Sequence, residues 1–111
     1  MIRASVAVAL LLSASSGALA QMADCSSEAK LIQRAEQELP RLEVAPPGDR
    51  TIVCITLETN LLFAKRLSAH LAQCPRSPLA RSGGAWAKTG RDYQAQYNSR
   101  GCRQTIKSYR G

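Results

Sequence analysis

One stretch constrains this chain more than any other. From Thr51 to Cys74 there is no Gly or Pro, and the stretch ends against Pro75. Its opening, Ile52-Val53-Cys54-Ile55-Thr56-Leu57, is rich in β-branched residues and by itself would pass as a strand. No turn residue separates it from the helical pattern of Glu58 to Gln73, so the spacing predicts one continuous helix, capped by Asp49 or Thr51. At about 100° per residue, the apolar positions from Cys54 through Leu61, Leu57, Leu67 and Phe63 to Ile52 cover roughly 200°. A surface helix needs about half of that, so this one is expected to be covered from two sides, with Ile55 and Leu62 off the arc.

That helix also decides the cysteines. Four are present, Cys25, Cys54, Cys74 and Cys102. Cys54 and Cys74 would lie about 30 Å apart on one helix, whereas a disulfide needs Cα atoms within about 7 Å. A neighbouring helix joined by a short linker runs antiparallel. Cys25 then meets Cys74, and Cys102, at the far end of the third region, meets Cys54. The expected bridges are Cys25–Cys74 and Cys54–Cys102.

Disulfides require an oxidising compartment, and the N-terminus supplies the route. Arg3 precedes the apolar run Ala4 to Leu12, which is followed by small residues closing on Ala18-Leu19-Ala20. A charged start, a short apolar centre and an A-x-A end make a secretory signal peptide over residues 1–20. The run is too short to span a bilayer, which takes about 20 apolar residues. Arg outnumbers Lys, 11 to 4, which leans towards a GC-rich bacterial source. The expected location is periplasmic or secreted. Residues 21–111 are then one domain with only 21 large apolar residues, a thin core that gains from cross-links.

Around the central helix the sequence predicts two partners. Ser26 to Leu39 carries Leu31, Ile32, Ala35 and Leu39 at helical spacing and stops at Pro40. A Pro-rich linker follows, ending Ala45-Pro46-Pro47-Gly48-Asp49. After a loop from Pro75 through Gly83-Gly84, Ala85 to Tyr97 is expected to be helical despite Gly90. Asn98 to Gly101 reads as a break before a short turn carrying Cys102, Ile106 and Tyr109. The expected fold is an all-α, disulfide-stabilised three-helix up-down-up bundle.

Chemistry is conspicuous by its absence. The chain has no C-x-x-C, no C-x-x-C-H, no G-x-S-x-G and no phosphate-binding glycine pattern. A single histidine, His70, falls at the edge of the apolar arc, where a packed or surface role outweighs a catalytic one. No pair among Glu36, Glu38, Glu43 and Glu58 stands out for sugar hydrolysis. No catalytic, metal or cofactor-binding residue is assigned, and an enzyme is not expected.

Charge is the remaining signal. Residues 21–58 carry four basic and seven acidic side chains, and residues 59–111 carry ten basic and one acidic. The second half also holds Trp86, Tyr93, Tyr97 and Tyr109, interleaved with Lys88, Arg91, Arg100, Arg103, Lys107 and Arg110. Cations beside aromatic faces can hold anionic sugars, lipid head groups or acidic proteins. The competing expectation is that the aromatics fill the core and the charges are merely solvated. The expected function is a non-enzymatic module binding an anionic envelope component or acidic partner protein. The alternatives are a membrane-active or effector-type protein, and a small enzyme or enzyme inhibitor. Nucleic acid is not an expected partner.

Overall fold

A computed structural model describes residues 24–111, so the signal peptide assigned to residues 1–20 lies outside the described residues. The described chain is all-α. Helix α1 occupies residues 24–37, α2 Arg50–Gln73, α3 Ala80–Ser99 and α4 Cys102–Arg110, with a 3-10 turn at Leu42–Val44. The segment 51–57 is helix and not strand. Val53, Ile55 and Thr56 pack against neighbouring elements, which outweighs their local preference.

The expected count of three helices becomes four. Gly101 adopts the left-handed conformation (φ 66°), which glycine reaches without steric cost, and breaks the last region into α3 and α4. Helix α3 also begins five residues before the expected Ala85, absorbing Gly83 and Gly84. Tertiary packing decides this: Gly83 lies directly against Leu71 of α2, where a Cβ would come within 2.6 Å of Leu71 Cδ1.

Both bridges join as expected. Cys25–Cys74 has Cα atoms 5.9 Å apart and Cys54–Cys102 has them 5.2 Å apart. They close sequence separations of 49 and 48 residues. By the chain-entropy argument each contributes about 4 kcal/mol.

Helix α2 is the centre of the molecule. Asp49 caps it, its side chain accepting the Ile52 N–H at 3.0 Å, which stabilises the helix start by about 1 kcal/mol. Its two halves serve two separate cores. Towards its C-terminus, Phe63 and Leu67 pack with Ala29 and Ile32 of α1 and with Leu79. Towards its N-terminus, Val53, Cys54 and Leu57 pack with Cys102 and Ile106 of α4. The buried arc therefore wraps both sides of the helix. It includes Thr56 and Asn60, and Asn60 is a tether: its Nδ2 donates to Pro40 O and to Thr56 O, both at 2.9 Å, pinning the Pro-rich linker to α2.

Three side chains depart from expectation. Leu31, placed on the apolar face of α1, is 53% exposed, because that face turns towards Ala29 and Ile32. Ile52, at the edge of the predicted arc, is exposed. Ile55, predicted off the arc, packs against the second core, while Leu62 is exposed as expected.

Candidate functional site

Between α2 and α3 lies an open, largely apolar cleft of about 370 Å³. Leu61, Ala64, Leu67 and Leu71 of α2 form one wall, and Gly83, Trp86 and Gly90 of α3 form the other. The two glycines stand seven residues apart and so share one face of α3. A Cβ on Gly90 would sit 3.5 Å from Ala64 Cβ, so the helices approach closely along this line. Lys65 of α2 and Arg91 of α3 also line the cleft, and both are exposed. A second hollow of about 350 Å³ shares Leu61, Lys65 and Gln94 with the first. It continues the groove past the exposed Leu62 and the half-buried Tyr97 to Glu58 and Arg110.

The cations assigned from sequence do not form one continuous patch. Arg91 lines the cleft, whereas Lys88 lies roughly 160° around α3 from Gly90 and points away from α2. Arg103, Lys107 and Arg110 succeed one another at four and three residues along α4, so they share an exposed face. Arg100 sits at the α3–α4 break, its carbonyl accepting from Arg50 Nη2 at 2.6 Å. Of the ten basic residues in the second half, Arg110 alone reaches a carboxylate among the described residues, Glu58 at 2.6 Å.

Three of the four aromatics interleaved with these cations are partly buried and pack against the cores. Trp86 packs on Phe63 with ring centroids 4.7 Å apart, and its indole N–H donates to Glu36 at 2.8 Å. Tyr93 and Tyr97 pack against the second core, and only Tyr109 is largely exposed. Burial, with the Glu43 carboxylate as a smaller cause, raises the Tyr93 phenol above its ordinary pKa.

One cluster carries no motif in the sequence. His70 is 2% exposed, with Nδ1 at 2.5 Å from Glu28 Oε1 and Nε2 at 2.7 Å from Ser77 Oγ. With the ring neutral, Ser77 donates to Nε2 and Nδ1–H donates to Glu28, the order of an acyl-transfer triad. Ser77, however, is itself buried, and its Oγ also accepts the Leu79 N–H at 3.2 Å. A hydroxyl spent on the turn between α2 and α3 is a latch. It ties that turn through His70 to Glu28 of α1. The lone histidine at the edge of a wide apolar arc was the available signal, but its partners come from segments 42 residues before and seven after.

No protein-family model, curated protein or solved structure matches the chain. No helix among the described residues is long and apolar enough to cross a membrane.

Proposed function

We propose that this protein is an exported, non-enzymatic binding module that takes an anionic amphiphile of the cell envelope into the α2–α3 cleft. The observation that carries the proposal is the pairing of an apolar hollow with Lys65 and Arg91 in its lining. An apolar body replaces water against the partly exposed Ala64, Leu71 and Trp86, and an anionic head meets the two cations. The volume falls within the usual range of small-molecule sites, roughly 300–1,000 Å³. Two disulfides support a location outside the reducing cytoplasm, in the periplasm or the medium.

This reading is favoured over an acidic protein partner because the basic side chains are dispersed among the cleft, the far side of α3 and α4. It is favoured over catalysis because the single histidine and its serine are buried in a latch.

Trp86 is the sole tryptophan and lines the cleft, so its fluorescence reports occupancy. Titration with dodecanoate is expected to give a saturable shift that weakens with salt. Dodecanol is expected to bind less tightly, and Lys65→Ala with Arg91→Ala to weaken dodecanoate about tenfold or more. An unchanged spectrum, or equal affinity for the acid and the alcohol, overturns the proposal.

A further inference from the structure

The Cys25–Cys74 bridge does not stand alone at the end of the bundle. Cys74 Sγ, a His70 ring nitrogen and a Glu28 carboxylate oxygen lie within 4.8 Å of one another. Cys25, bonded to Cys74, brings a second sulfur to the same point. The spacing is what two helices need to build such a centre. Cys25 and Glu28 are three apart on α1, and His70 and Cys74 are four apart at the end of α2, so each pair shares one helix face. Antiparallel packing brings the two faces together.

We propose that reduction of Cys25–Cys74 turns this corner into a zinc site with Cys25, Glu28, His70 and Cys74 as ligands. Two thiolates, an imidazole and a carboxylate are a four-ligand set for a tetrahedral divalent ion of borderline softness. Zinc bonds of about 2.0–2.3 Å place tetrahedral ligand atoms about 3.3–3.8 Å apart. Starting from a cluster within 4.8 Å, side-chain rotation covers the difference. The two sulfurs must part, and their Cα atoms at 5.9 Å let them do so while still facing the same point.

An oxygen partner for the ring nitrogen that faces away from the metal is already in place. Metal-bound histidines usually donate their other N–H to an oxygen, which fixes the tautomer. Here Ser77 Oγ stands 2.7 Å from His70 Nε2. On metal binding Nδ1 gives up its hydrogen bond to Glu28 and becomes the ligand, while Nε2–H donates to Ser77. Glu28 needs only a small retreat from Nδ1, and it is half-exposed and free to make it.

The redox step requires a dithiol reductant. Its thiolate attacks one sulfur of the bridge, and its second thiol then closes on the mixed disulfide. The reductant leaves as a cyclic disulfide, with Cys25 and Cys74 reduced. Zinc then displaces the two thiol protons. In the oxidised protein both sulfurs are spent on each other and the ligand set is incomplete. The site is thus independent of the α2–α3 cleft and of what binds there.

The test uses the disulfide-bonded chain before and after reduction with a phosphine, and Co²⁺ as an optical stand-in for zinc. The reduced protein is expected to bind one equivalent with a sulfur-to-cobalt charge-transfer band, and the oxidised protein to show none. Glu28→Gln is expected to weaken binding about tenfold. Alkylation in the presence of zinc distinguishes the two cysteine pairs, with Cys25 and Cys74 expected to be protected and Cys54 and Cys102 to react at their metal-free rate. No charge-transfer band in the reduced protein, or protection confined to Cys54 and Cys102, overturns the proposal.

Discussion

Cys54 of α2 and Cys102, the first residue of α4, are both fully buried and joined, with Cα atoms 5.2 Å apart inside the second core. The Cys25–Cys74 bridge differs, because Cys25 is only partly buried. Thiol–disulfide exchange needs access to a sulfur. Limited reduction under native conditions is therefore expected to open Cys25–Cys74 first. Peptide mapping after rapid alkylation checks this, and early labelling of Cys54 and Cys102 would contradict it.

Two glycines predict opposite outcomes of the same substitution. Gly90 lies within α3, and the Cβ of an alanine there meets Ala64 at ordinary contact distance. Gly90→Ala is expected to stabilise the protein by about 0.5–1 kcal/mol through helix propensity. Gly101 holds φ at 66°, and its Cβ would approach the Arg50 guanidinium to 3.2 Å. Gly101→Ala is expected to cost about 1–2 kcal/mol. Denaturant midpoints of the two variants read the contrast directly.

The His70 latch is expected to be structural. His70→Ala removes a buried ring and strands Ser77, at a cost of about 2–4 kcal/mol in urea unfolding. Ser77 is expected to remain unlabelled by a fluorophosphonate probe, since its hydroxyl is closed over and committed to the turn. Stoichiometric labelling of Ser77 would reopen the case for hydrolysis.

Stability should fall at alkaline pH through Tyr93. Its folded pKa is raised, first by burial and then by Glu43, above the ordinary value of 10.0. The neutral phenol is favoured by the fold, so this contribution is whole below about pH 10 and is lost as pH rises through the folded pKa. Tyr93→Phe should flatten that decline, as measured by urea unfolding across the alkaline range.

Much of the fold was legible because a few residues imposed long-range geometry. An uninterrupted helix between Cys54 and Cys74 excluded one pairing, and antiparallel packing selected between the other two. The break at Gly101 is also visible in the sequence, whereas the helix beyond it is longer than the short turn expected there. The start of α3 was not visible, because Gly83 and Gly84 signal a loop locally and only the close approach to Leu71 makes a helix there acceptable. Ile55 and Leu31 were misplaced for a related reason. A single angular frame treats a helix as having one buried face, whereas α2 serves two cores and α1 rotates to meet one of them.

The candidate sites were less legible still. The all-helical character, the two bridges and the excess of positive charge in the second half are written in the chain itself. These follow from local periodicity, cysteine spacing and composition. Packing between elements settles that Trp86, Tyr93 and Tyr97 lie against the core, that Lys65 joins Arg91 at a cleft, and that Glu28, His70 and Ser77 meet beside Cys25–Cys74. Each of those contacts joins residues from different elements, and no periodicity within one element records which neighbour its side chains will face.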